Sequence, residues 1–180
     1  MPLAKSFGGA VQGVDACLIT IEVNVGEGTK FYMVGLPDSA VKESEHRVIT
    51  AIKHLGYTMP RQKVVVNMAP ADIRKEGSSY DLPIALSILQ ASGQLHTSVL
   101  SNYLIMGELA LDGSVRSIKG VLPIAIEARH KGLKGLIVPL ENSKEAAIVN
   151  NLDVIPVASI QEAIEFLEGR RDITPLVADT

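Results

Sequence analysis

At 180 residues the chain fits one domain, long enough to bury a sizeable core and too short to hold an ATPase motor beside a second module. Seventeen Lys and Arg against twenty Asp and Glu leave a net charge of -3, which excludes the broad positive field of a nucleic-acid coat and makes any nucleic-acid contact local. Hydrophobic residues at 47% with 21% charged residues exclude a disordered chain, and 4% aromatics without Trp leave too few rings for a stacking surface on single-stranded nucleic acid.

The chain opens without a basic stretch followed by an apolar signal run, and no segment reaches the roughly 18 apolar residues of a membrane span. Cys17 stands alone in an apolar run and reads as a core residue in a reducing compartment. A cytoplasmic location and no membrane partner are expected. From Asp15 to Val25, Cys17, Ile19, Ile21, Val23 and Val25 share one parity, the period of a half-buried strand, and a short strand precedes it around Ala4 to Val11. Gly26-Glu27-Gly28 turns the chain, and Lys30 to Val34 reads as the returning partner of an antiparallel hairpin. A helix follows, capped by Asp38 or Ser39, with Val41, Val48, Ile49, Ile52 and Leu55 as its apolar stripe and Gly56 at its end.

Lys63 to Met68 is short and β-branched, a buried strand. The loop Ala69 to Asp81 leads into a helix with Pro83 in its first turn and Gly93 near its end. Tyr103 to Leu111, the Asp112-Gly113 turn and Val115 to Ile118 read as a second hairpin. Helices at Gly120–Lys131, Asn142–Val149 and Ser159–Glu168 then alternate with strands at Gly135–Val138 and Val154–Val157, which predicts βαβ units in a mixed α/β sheet. Residues 1–168 form the expected domain, and the aperiodic 169–180 reads as a linker.

No Gly-Lys-Ser/Thr phosphate loop and no G-x-G-x-x-G turn occurs, so the chain itself is not expected to hydrolyse or bind nucleotide. His46, His54, His96 and His130 lack metal-ligand spacing and read as surface residues. Gly77-Ser78-Ser79-Tyr80-Asp81, at a helix start, permits a serine nucleophile close to backbone donors, but it has no base nearby in sequence. Spacing alone favours Ser78, Ser79 or Asp81 as helix caps. Among the cations from Arg47 to Lys134, Arg74, Lys75, Arg116 and Lys119 are the candidates for DNA phosphates, Arg74 and Lys75 because they flank this loop.

Lys75 to Leu86, then Met106 to Arg116, then Gly120 to Pro139 resemble the Lon-type protease domain, with its K-D-G-P-S-A-G, G-E-hydrophobic-x-hydrophobic-x-G-x-V and G-G-L-K-E-K patterns. The resemblance places Ser79 at the nucleophile. The position of the catalytic lysine falls on Leu122, with Lys119 three residues too early, so the dyad is broken and no catalytic residue is carried over. Gly13 to Val23, Val34 to Ser44, Val65 to Asp72 and Gly77 to Pro83 extend the likeness over nearly the whole chain. In these segments it is similar to the N-terminal domain of Mg-chelatase-like AAA+ ATPases of the YifB/ComM type.

That resemblance implies an α+β Lon-like fold, related to the ribosomal-protein domain-2-like fold. It also implies a noncatalytic domain that helps assemble or orient a hexameric motor for DNA branch migration in natural transformation and recombination. Its partners would be its own C-terminal AAA+ module, further copies of itself, and DNA reached through the full-length protein. ATP and Mg would belong to that module, expected after Thr180, with no cofactor or metal in this chain and no porphyrin chemistry. The alternatives are a Lon-like serine peptidase using Ser79, with Lys119 as an unforeseen base, and a protein-binding adaptor.

Overall fold

The computed structural model describes residues 3–177. Strands β1 (Leu3–Gln12) and β2 (Asp15–Gly26) form a long antiparallel hairpin, from Leu3 opposite Asn24 to Gln12 opposite Asp15. The predicted parity of β2 holds at Ile19, Ile21, Val23 and Val25, which are buried. Neighbouring β1 residues face opposite ways, as the pleat requires. Ser6 meets Ser87 of α3 (Asp81–Ala91) at 2.7 Å on one face, and Gly9 backs onto Ile124 of α4 (Val121–His130) on the other. Helices thus cover both sides of the hairpin, and α3 is so enclosed that Asp81 to Leu89 are all buried.

The hairpin expected between β2 and β3 (Phe31–Val34) does not form. β4 (Lys63–Ala69) lies between them, antiparallel to β2 and parallel to β3. Burial explains the order: β4 buries Val64, Val66 and Met68, whereas β3 leaves Tyr32 and Val34 exposed and suits only a rim. The seven-stranded sheet runs β3-β4-β2-β1-β5-β8-β9, with β5 (Tyr103–Ile105), β8 (Gly135–Pro139) and β9 (Asp153–Val157) parallel to one another. This is the mixed α+β architecture the sequence implies. The second hairpin is smaller than expected, because β5 joins the main sheet and only β6 (Glu108–Leu109) and β7 (Val115–Arg116) pair.

The helix read from Asp38 onward is two helices, α1 (Ser39–Lys42) and α2 (Ser44–His54). Asp38 does cap the first, accepting the Val41 N–H at 2.7 Å. The break follows from Arg47, whose Nη2 takes the Ala40 carbonyl at 3.0 Å, the acceptor a continuous helix would give to Ser44. Near the C-terminal end, α5 spans only Ser143–Ala146, and α6 (Ile160–Leu167) is capped by Ser159, the residue expected to be its first. The segment read as a linker returns to the sheet, where Leu176 N–H donates to the Val154 carbonyl at 2.9 Å; residues 178–180 lie outside the described residues.

Candidate functional site

The loop from Ala69 to Asp81 is fixed from beneath by Lys75. Its side chain is fully buried, and its ammonium donates to the carbonyl of Gly35 at 2.6 Å and to that of Pro70. Burial lowers its pKa from the ordinary 10.5, against the pull of Asp72. Enclosed in this way, Lys75 does not reach a phosphate outside the fold, a correction to its place among the DNA candidates. The anchor's own backbone bonds the two residues that flank Pro37, Lys75 N–H to the Leu36 carbonyl at 3.0 Å and Asp38 N–H to the Lys75 carbonyl at 2.9 Å. Gly35 has a φ of 109°, and a Cβ there would lie 2.1 Å from the Met68 carbonyl oxygen, so only glycine lets β3 pass β4 this closely.

The serines are not helix caps. Tyr80 holds the N-cap position of α3 and makes no side-chain cap bond. Ser78 Oγ donates instead to Glu108 Oε1, and Asp81 is buried against Arg47, with Nε at 2.6 Å and Nη2 at 3.0 Å, while also accepting the Leu109 N–H at 3.0 Å. The start of α3 is satisfied by the chain around β6: Leu82 N–H donates to the Gly107 carbonyl at 3.0 Å and Gly107 N–H to the Ser79 carbonyl at 2.8 Å. Pro83 needs no partner there. The hydrogen bond to Asp81 holds the Arg47 guanidinium above its ordinary value, and burial raises the Asp81 carboxyl against the pull of Arg47. Arg47 is thereby committed to the fold and is not a free phosphate ligand.

Above this floor opens a cleft of about 780 Å³. One wall is β1 from Gly9 to Gln12, the other is Gly77 to Tyr80, and Met106, Ile118 and Ile124 line its depth. Arg74, Ser79 and Lys119 meet here, so three of the residues singled out from the sequence share one site. Among the described residues no base is hydrogen-bonded to the Ser79 hydroxyl. Leu122 packs against the core, while Lys119 is exposed at the mouth. Asn142 positions this last segment, accepting the Ile118 N–H at 2.8 Å and donating to its carbonyl at 2.9 Å. Arg116 is exposed outside the cleft with Nε 3.9 Å from Glu108, and Arg74 Nε lies 3.5 Å from Glu76.

Asp38, Glu108 and Asn142 were not read from the sequence as parts of this site. Asp38 has a second task beyond its cap, accepting the Gly77 N–H at 3.2 Å, and nothing in its spacing to residue 77 signals that. Gly8-Gly9 inside a strand is a signal that could have been used, since strand glycines mark close approach. Cys17 is half-buried beside the core, and burial raises its thiol, with Glu127 adding to the shift, so it is a poor nucleophile. The four histidines are exposed as expected. Among the described residues no helix is long and apolar enough to cross a membrane.

Comparison with known proteins gives the chain a family. The family described as subunit ChlI of Mg-chelatase matches residues 21–142. The chain is similar to the competence protein ComM of Haemophilus influenzae, 39% identical over 99% of this chain and 35% of that protein. It is also similar to YifB of Salmonella typhimurium, 42% identical over 99% of this chain and 36% of that protein. More distantly it resembles Lon protease 2 of Bacillus subtilis, 30% identical over 72% of this chain and 23% of that protein. The chain spans about a third of the length of ComM and YifB. By the family match through its middle and the likeness to ComM and YifB along its whole length, the chain belongs to the Mg-chelatase subunit ChlI family, in its YifB/ComM branch.

Proposed function

We propose that this chain is the noncatalytic N-terminal domain of a Mg-chelatase-like AAA+ ATPase and that it helps assemble or orient a ring-forming motor acting on DNA. The observation that carries the reading is the unmade dyad: Leu122, on which the resemblance puts the base, packs against the core, and Ser79 lines the cleft with no base hydrogen-bonded to it among the described residues. The likeness to a protein named for competence supports DNA as the object of the motor. In the longer protein, ATP and Mg would be held by the following module. Cytoplasmic residence fits this role. Arg74, Arg116 and Lys119, all exposed, are the cations we assign to phosphate on this face.

In the full-length protein, joint replacement of Arg74, Arg116 and Lys119 by alanine should weaken DNA binding and flatten its salt dependence by roughly one phosphate contact for each lost cation. Unchanged binding across a salt series removes DNA from this face. Ser79→Ala should leave DNA-stimulated ATP hydrolysis intact. A peptidase is the second reading, favoured by the convergence of Ser79 and Lys119 on one cleft. Cleavage of casein by the full-length protein, lost on Ser79→Ala, would establish it.

A further inference from the structure

β1 is paired with β2 along its whole length, but with β5 at a single position, Phe7 opposite Leu104. In an antiparallel ladder every second residue turns its N–H and C=O away from the partner strand. Gly9 belongs to that outward set, since its N–H points at Met106 Sδ, 3.3 Å away, a weak acceptor where a strand would stand. Val11, two residues on, shares its direction, and among the described residues its outward N–H and C=O have no partner. Gly9 and Val11 both line the cleft. A row of unpaired strand groups is a template for another strand, and here it lies inside a cleft instead of on an outer rim. Gly8 to Gln12 extends over about 13 Å, room for a strand of four or five residues.

We infer that the cleft takes up an extended segment of another polypeptide, added as a strand beside β1 and left uncut. The segment's chemistry follows from the walls. Met106, Ile118 and Ile124 receive apolar side chains. The cleft's carboxylates are engaged: Asp38 by two backbone N–H groups, Glu108 by Ser78, and Glu76 by Arg74. Lys119 is exposed and has no salt bridge among the described residues, so an acidic residue of the segment pairs with it. Nucleic acid fits less well, because its backbone has no N–H for the Gly9 and Val11 carbonyls. This inference stands apart from the DNA-motor reading and does not need it.

The test uses this chain and labelled reduced, carboxymethylated lactalbumin, a permanently unfolded acidic polypeptide, with oligothymidylate as the comparison. Fluorescence anisotropy should show lactalbumin bound and intact, and hydrogen exchange at the Val11 amide should slow in the complex. Val11→Pro removes the outward N–H without touching the ladder to β2 and should weaken binding about tenfold. Ser117→Trp fills the exposed mouth and should abolish it. Failure of lactalbumin to bind, or equal binding by both variants with their circular dichroism unchanged, overturns the inference. So does displacement of lactalbumin by oligothymidylate, or its cleavage.

Discussion

Lys75 illustrates how much of the site rests on a residue that no ligand touches. Its ammonium joins Gly35, at the end of β3, to Pro70, at the start of the loop, and so fixes the level from which Gly77 to Tyr80 rise. Its burial also couples folding to pH. Because the folded chain releases this proton below the ordinary 10.5, the unfolded chain holds more proton between the two values. Stability therefore rises with pH across that window, and the gain is lost as pH falls through the folded value. Lys75→Met keeps the stem but strands two carbonyls, a cost of about 1–3 kcal/mol. Urea unfolding from neutral to alkaline pH should show the variant less stable, with the gap to wild type widening as pH rises. A gap that stays constant would mean that the ammonium is solvated. From the sequence Lys75 looked like a surface cation beside a special loop, because a spacing carries no burial.

Between elements, single polar side chains do the joining. Asn142 holds the segment before α4 by both groups of Ile118, and this bond pair sets where Lys119 meets the cleft. Asn142→Ala should cost about 2 kcal/mol, since it leaves a buried N–H and C=O unpaired, and the Ile118 amide should exchange faster in the folded state. Equal exchange rates would show that the segment is held by packing instead. Elements with strong local periodicity were legible in the sequence: β2, α4, β9 and α6 lie within a residue or two of their expected bounds. What sequence could not deliver was adjacency. The pairing of β4 with β2 depends on which strand buries one face completely, and the split of α1 from α2 depends on Arg47 reaching Asp81, 34 residues away. For the site, Ser79 and Lys119 were legible as neighbours only through family resemblance. The open edge of β1 was not, because it arises from β5 diverging after one pair.

The whole sheet has two rims, and they are protected differently. β3 at one rim is only four residues long, with Lys63 stacked over Tyr32 at 5.2 Å. β9 at the other turns Val154 outward, as its bond to Leu176 shows, so Pro156 two residues on occupies the next outward position and has no N–H to offer. The returning segment completes the cover: Ile173 and Leu176 pack against the core, while Arg170 and Arg171 pair with Glu165. A chain shortened after Gly169 would lose both apolar side chains and uncover the core surface they cover and the outward groups of Val154. It should lose about 2 kcal/mol of stability from the exposed apolar area, and it should form larger species than the intact chain as concentration rises. Sedimentation of the two chains side by side reads this directly. Identical sedimentation and identical thermal unfolding would return 169–180 to the role of a plain linker. A difference would make this segment part of the folded domain, so that whatever follows it in the longer relatives would start from the β9 rim, on the far side of the sheet from β3.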